Sequence, residues 1–219
     1  MDEASTSIRK LLQSARFTIS VPELRQMPPD HGREIAFAGR SNSGKSSAIN
    51  LLCQQRTLAR TSRTPGRTQH LVVFELDAER RLIDLPGFGY AKVSKDMRAH
   101  WERVLPQYLE RRESLAGLVL LMDIRHPLKP QDLVLITWCR QSNVPLHILL
   151  SKADKLSRGA AAQTLRTVAA HLTRQGGSQA SVQLFSALKH DGAEAAYGVL
   201  ARWLTIDQEE EKKGPGSVE

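Results

Sequence analysis

Apolar residues recur along this chain with two spacings, and the spacings mark out strands and helices in alternation. Residues 115–122 form an unbroken apolar run that stops at Asp123, the pattern of a strand covered on both faces in a parallel sheet. Shorter runs at 34–38, 145–150 and 182–185 read the same way. Two further strands, 71–76 and 81–84, flank the polar turn 77–80 and predict a hairpin. Met97, Trp101, Val104, Leu105 and Tyr108 return at helical spacing and predict an amphipathic helix over 95–112. This aromatic stripe reads as core-facing rather than as a ligand site. Helices are also expected over 47–53, 130–139, 160–174 and 193–204, the third ending at Gly176 and Gly177.

Ahead of these elements lie a helix expected over 7–15, an alternating stretch at 17–21 and a turn at Pro28 and Pro29. Strands alternating with helices, with a single hairpin, predict a three-layer α/β domain. Its sheet is expected to be mostly parallel with one antiparallel edge strand. The expected division is an N-terminal extension packed on the domain (1–30), the domain itself (31–206) and a disordered charged tail (207–219). In that tail the run 209–216 has no apolar residue.

The chemistry sits where strands end. Gly39-Arg40-Ser41-Asn42-Ser43-Gly44-Lys45-Ser46 fits G-x-x-x-x-G-K-[ST], between an expected strand and an expected helix that begins at Ser47. Such a loop wraps phosphates with backbone N–H groups, while its lysine reaches the β and γ positions and its hydroxyl holds Mg²⁺. The helix N-terminus adds its dipole. A plain strand-to-helix turn is the alternative. Asp84-Leu85-Pro86-Gly87 matches D-x-x-G: an aspartate for Mg²⁺ and a glycine whose N–H can approach a γ-phosphate, or else a common Asp-x-Pro-Gly turn. Ser151-Lys152-Ala153-Asp154 closes another strand, where an aspartate can accept guanine N1–H and the N2 amine together. Here a capping role for Asp154 is the alternative. Phe185-Ser186-Ala187 would set backbone N–H groups over the guanine oxygen.

Composition narrows the partners. The net charge is +8, and no Asp or Glu occurs from Ile35 to Phe74, a window holding Arg40, Lys45, Arg56, Arg60, Arg63 and Arg67. That points to polyanions, the nucleotide first and RNA second, with a solvated basic face as the plainer reading. No apolar run reaches the roughly eighteen residues of a membrane span. The acidic start, Met1-Asp2-Glu3, is unlike a secretory signal. A cytoplasmic, monomeric protein is expected. Cys53 and Cys139 lie in predicted helices and read as buried thiols, and the seven histidines form no cluster that predicts a transition-metal site.

Four segments carry a closer resemblance: residues 39–47, Thr64-Pro65-Gly66-Arg67-Thr68-Gln69, Asp84-Leu85-Pro86-Gly87-Phe88-Gly89-Tyr90-Ala91 and Asp123-Ile124-Arg125-His126-Pro127-Leu128-Lys129. Together they resemble the EngB (YihA/YsxC) family of ribosome-biogenesis GTPases, over about residues 17–205. The resemblance implies a Ras-like P-loop GTPase domain that binds GTP and GDP with Mg²⁺ and acts on large ribosomal subunit precursors. It also implies a need in cell division and septation. By it, Thr68 joins Ser46 and Asp84 on Mg²⁺, with Thr64 as rival, and Gly66, Arg67, Thr68, Gln69 and His70 fold over the nucleotide. Catalysis would rest on Lys45, Thr68, Gly87 and Asn42, the last helping to bind K⁺ against the phosphates. Ser151 stands where this class usually has Asn or Thr. Phe88 stands where signalling GTPases carry a water-orienting Gln, so slow intrinsic hydrolysis is expected. The loop 123–129 is either a capped turn or a ribosome-contacting surface. A nucleotide-gated RNA-binding module and a P-loop small-molecule kinase are the competing readings, the second opposed by the guanine motif.

Overall fold

The structure, a computed structural model, describes residues 3–59, 70–88, 95–175 and 179–204. Its elements in chain order are α1 (Glu3–Gln13), β1 (Arg16–Val21), β2 (Arg33–Gly39), α2 (Lys45–Leu52), β3 (Leu71–Glu75), β4 (Arg80–Asp84), α3 (Lys95–Arg111), β5 (Leu115–Asp123), α4 (Pro130–Gln141), β6 (Leu146–Ser151), α5 (Arg158–Arg174), β7 (Ala180–Leu184) and α6 (Ala193–Leu204). The strands form one sheet in the order β1-β3-β4-β2-β5-β6-β7.

The central strands carry long apolar runs because both faces are covered. Ala36, Ala38, Leu118, Leu120, Met122, Ile148 and Leu150 pack into one core with Leu105 and Tyr108 of α3, Leu135 of α4 and Val168 of α5. Their neighbours Ile35, Phe37, Val119, Leu121 and Leu149 face the other way, into a second core with Leu12 of α1, Ile49 of α2 and Leu200 of α6. Period-two alternation within each strand thus builds three layers. Gly117 is the close-contact point of the second layer: a Cβ there would lie 2.6 Å from the Trp203 ring of α6. Cys53 and Cys139 are buried free thiols, and burial pushes each up to about 12.

The N-terminal residues go further into the fold than an added extension would. β1 pairs antiparallel with β3, setting Phe17 opposite Phe74 and Val21 opposite Leu71. β3 in turn is antiparallel to β4, and β4 is parallel to β2. The reversed strand is therefore β3, one in from the edge, while β1 takes the edge itself. α1 settles over α2 and α6 through Ile8 and Leu12. Gln55 at the end of α2 donates to Gln13 O (2.9 Å) and Ala15 O (2.8 Å).

At the amino end of β2 the carboxylate of Glu34, fully buried, meets two arginines. Arg81 Nη1 donates to Oε1 at 3.0 Å and Arg112 Nε to Oε2 at 3.1 Å, with Tyr108 OH adding a third donor at 3.3 Å. Arg81 also reaches Pro29 O (3.0 Å) and His31 O (3.2 Å). Burial, reinforced by the Glu34 charge, raises the Tyr108 phenol well above its usual range. Among the described residues no helix is long and apolar enough to cross a membrane. The helix end at Gly176 and Gly177 and the tail 207–219 lie outside the described residues.

Candidate functional site

Strands β2, β4, β5, β6 and β7 end at one rim, and the sheet order reverses between β2 and β5. An open α/β sheet binds its ligand at such a point. β2 finishes there at Gly39, where a Cβ would lie 2.4 Å from Ser43 Oγ and 2.9 Å from Leu121 O. The chain then turns through Asn42 (φ 64°) and Gly44 (φ 91°), a left-handed path that these two residue types bear best. Ser43 N donates to Arg40 O at 2.9 Å and tightens the turn. α2 starts at Lys45 with Gly44 as its N-cap and no side-chain cap. Its first-turn N–H groups have no helical carbonyl to bond, and the positive end of its dipole lies at the rim. That is the cradle an anion needs.

Lys45 Nζ is ion-paired with Asp84 Oδ1 at the end of β4, and both side chains are nearly buried. Beyond Asp84 the chain stays bound to β2 and its loop. Leu85 N donates to Phe37 O (2.9 Å), Phe88 N to Gly39 O (3.3 Å), and Ser41 N to Phe88 O (2.9 Å). The Asp84–Gly87 segment is thus strapped along the phosphate loop. At Gly87 a Cβ would meet Ser41 Cα at an ordinary 3.6 Å, so local packing does not itself demand glycine. Phe88 is buried, its ring 4.8 Å from that of Trp101, which lies 5.5 Å from Trp138. Its phenyl group is turned into the core.

The third and fourth loops interlock with the first. Ser151 Oγ lies 2.5 Å from Ser43 O and 3.2 Å from Met122 O, so the hydroxyl in the Asn/Thr position ties the base-side loop to the phosphate loop. Lys152, with φ 58°, sends Nζ to Asn42 O (2.6 Å) and Asp123 Oδ2 (3.0 Å). Ala153 N donates to Phe185 O (3.1 Å). Asp154 Oδ1 accepts from Ser186 Oγ at 2.6 Å, and that bond holds its carboxyl below the usual range. Ser186, fully buried, accepts in turn from Lys189 N (3.1 Å). Asp154 is therefore an ionised, oriented acceptor.

Of the residues expected from sequence, Arg40, Ser41, Asn42, Ser43, Lys45, Ser46, Asp84, Leu85, Pro86, Gly87, Ser151, Lys152, Ala153, Asp154, Phe185, Ser186 and Ala187 gather at this rim. Ser47 is exposed on α2. His70 stands just before β3, its Nδ1 3.2 Å from Ser20 Oγ of the edge strand. Gly66, Arg67, Thr68 and Gln69, like Thr64, lie outside the described residues. The Ser46 hydroxyl and Asp84 carboxylate are hard oxygen donors of the kind Mg²⁺ takes. The described residues contain no group of three His, Cys, Asp or Glu able to hold a metal ion by themselves, so such an ion would complete its shell with ligand oxygens and water.

Four polar contacts here were invisible in the sequence. Asp123 Oδ2 is shared by Lys152 and by Arg125 Nη2 (2.6 Å); burial works to raise this carboxyl, but the two cations prevail and hold it well below its usual range. Arg40 Nη2 donates to His126 O (2.6 Å). Arg40 Nε lies 3.3 Å from Asp132 Oδ2 of α4, a fully buried carboxylate whose pKa burial raises against the pull of Arg40. The available signals were slight: an acid closing a strand, and another in the first turn of a helix.

A phosphate-type loop strapped to a D-x-x-G strand end, and bolted through Ser151 and Lys152 to the loop that orients Asp154, has the architecture of a P-loop GTPase. A family model described as a 50S ribosome-binding GTPase matches residues 34–152. The chain is 51% identical over 204 residues to the "Probable GTP-binding protein EngB" of Methylococcus capsulatus, spanning 93% of this chain and 97% of that one. Against the protein of the same description from Stenotrophomonas maltophilia it is 50% identical over 197 residues, 90% and 98% of the two chains. It belongs to the EngB family. Among solved structures, a probable GTP-binding protein EngB superposes with a TM-score of 0.62 at 21% identity, covering 78% of this chain and 98% of that one. An Era variant from Aquifex aeolicus bound to GDP·AlF4− superposes at 0.60 and 19%, covering 80% and 57%. At such identities these two show likeness of fold.

Proposed function

We propose that this EngB-family GTPase is a slow GTP hydrolase that serves as a nucleotide-controlled assembly factor for the large ribosomal subunit, with a role in cell division and septation. The observation that carries the reading is Phe88. Its backbone straps the Asp84–Gly87 segment to the phosphate loop, while its ring packs on Trp101, away from the rim. The strap gives this segment a direct response to what the phosphate loop holds. The buried ring removes position 88 as the source of a side chain to orient the attacking water. The matched family description, a 50S ribosome-binding GTPase, supports the ribosomal partner.

In this reading Lys45 exchanges its Asp84 partner for phosphate oxygen, and the first turn of α2 donates N–H groups beside it. Ser46 and Asp84, joined by Thr68, hold Mg²⁺, which neutralises charge on the phosphates when bound. Asp154, oriented by Ser186, selects guanine, and Lys152 braces the phosphate loop at Asn42 O. Asn42, at the mouth of that loop, is the candidate K⁺ ligand. Faster single-turnover hydrolysis in K⁺ than in Na⁺ buffer is the expected result; equal rates reject that role. The protein is taken to act as a cytoplasmic monomer.

Co-sedimentation with large-subunit precursors tests the switch. Wild type should pellet with them in a GTP analogue and stay in solution with GDP, and a complex indifferent to the nucleotide would sink the assembly-factor reading. The same ring that makes hydrolysis slow also favours a second reading, a nucleotide-gated RNA-binding module without turnover. Multiple turnover by the isolated protein rejects it.

A further inference from the structure

The loops after β5, β6 and β7 bring cations to one side of the rim, and the nucleotide chemistry uses few of them. Arg125, His126 and Lys129 stand exposed on the first, Lys155 and Arg158 on the second, Lys189 and His190 on the third. The loops interlock through Ala153 with Phe185 and Asp154 with Ser186, so their cations share one face. Their acids other than Asp191 are already engaged: Asp123 by Arg125 and Lys152, Asp132 by Arg40, Asp154 by Ser186 and by Lys155 at 3.5 Å. Among the described residues of these loops, Asp191 is the one exposed acid. Lys129, Arg158 and Lys189 make no ion pair with a described carboxylate. At the opposite rim the arginines are matched, Arg80 by Asp77, Arg81 and Arg112 by Glu34, Arg25 by Glu23. Lys129, Arg158 and Lys189 thus add positive charge without a carboxylate partner beside the guanine loops.

We propose that this face, carried by Lys129, Arg158 and Lys189 and bordered by Arg125 and Lys155, is a docking surface for the phosphodiester backbone of RNA. It rests on the assembly-factor reading and names the chemistry of its ribosomal contact. Spaced cations without facing carboxylates attract phosphate irrespective of base sequence. A protein partner would call for apolar or aromatic anchors at the centre of the patch, and the one large apolar side chain exposed on these loops is Leu188. The first loop is also fastened to the nucleotide site twice, through His126 O on Arg40 and through Asp123 on Lys152. RNA held by this face therefore acts on the residues that position the phosphate and guanine loops, and the two binding events are linked reciprocally.

The test is fluorescence anisotropy of a labelled mixed-sequence RNA hairpin with full-length protein across a salt series. The variant K129E/R158E/K189E is compared with K10E/R16E/R111E, which makes the same charge change on α1, on β1 and at the end of α3. The first should weaken RNA binding roughly tenfold or more and flatten the slope of log K against log salt by about 0.7–0.9 per cation lost. The second should stay close to wild type. Equal losses in both variants, no loss in the first, or wild-type binding indifferent to salt would overturn the surface. Far-ultraviolet circular dichroism and the melting temperature check that each variant is folded. The neutral variant K129Q/R158Q/K189Q carries the same test with a smaller loss should the reversal not fold. On large-subunit precursors, equal sedimentation of wild type and K129E/R158E/K189E overturns this surface and leaves the assembly-factor reading standing. Failure of wild type to sediment overturns that reading itself.

Discussion

Asp154→Asn is expected to lower affinity for GTP by about 10²- to 10⁴-fold because, of two charge-assisted hydrogen bonds worth about 1.5–3 kcal/mol each, one is replaced by a donor facing a donor and the other loses its charge. Affinity for XTP should rise at the same time. In the proposed function the carboxylate would accept two donors from guanine, N1–H and the N2 amine, and its rotamer is held by Ser186 Oγ at 2.6 Å. An asparagine keeps an acceptor for Ser186 and for N1–H but presents an amide donor where the N2 amine would stand. Xanthine carries a carbonyl there, so the pairing is restored with the other base. Because Ser186 is fully buried and itself fixed by Lys189 N, the side chain has little freedom to find another arrangement. Fluorescent-nucleotide titration with GDP and XDP reads both changes. Unchanged GDP affinity in a folded Asp154→Asn protein would return Asp154 to the role of a loop cap.

The second large effect is on stability and lies at the opposite rim. Glu34→Ala leaves Arg81, 3% exposed, and Arg112 facing each other without the carboxylate that separates them. Removing one partner of a buried ion pair costs about 3–5 kcal/mol, because the remaining charge stays desolvated. In a domain of this size that lowers the melting temperature by about 10 °C or more. Thermal unfolding followed by tryptophan fluorescence measures it. A double substitution, Glu34→Leu with Arg81→Met, should cost less than Glu34→Ala alone, since it removes the stranded charge along with its partner. A melting temperature within a degree or two of wild type for Glu34→Ala would mean that the network is relaxed by water. GDP affinity should hold in the folded fraction, because the nucleotide loops lie at the far ends of the strands.

These two sites differ in how far they could be read from the chain. Asp154 could be singled out because its signal is local: an aspartate separated by two residues from the strand end at Ser151. The phosphate loop was legible for the same reason, since the left-handed turns at Asn42 and Gly44 and the start of α2 depend on residues within one turn of each other. Glu34 was read only as the first residue of a short strand. Nothing near it in sequence announces Arg81, 47 positions on, or Arg112, 78 positions on. The alternation of Phe17 to Val21 foretold a strand, but its place at the sheet edge follows from pairing with β3. Phe88 after Gly87 put a phenyl group where signalling GTPases carry Gln, and only the structure places that ring on Trp101, which itself packs on Trp138.

The sequence by itself determined the order of strands and helices, the left-handed turn of the phosphate loop, the aspartate just past the end of β6 and the burial of the central strands. Each depends on hydrophobic period or backbone geometry within a few residues. Only the tertiary structure decided how the loops are joined: Ser151 to Ser43 across 108 positions, Lys152 to Asn42 across 110, Arg40 to His126 across 86. Those bonds need the sheet to bring separate strand ends to one rim. Whether a charged side chain there is committed to a neighbour or left for a partner is settled by that assembly, because a cation and its carboxylate must first be placed side by side.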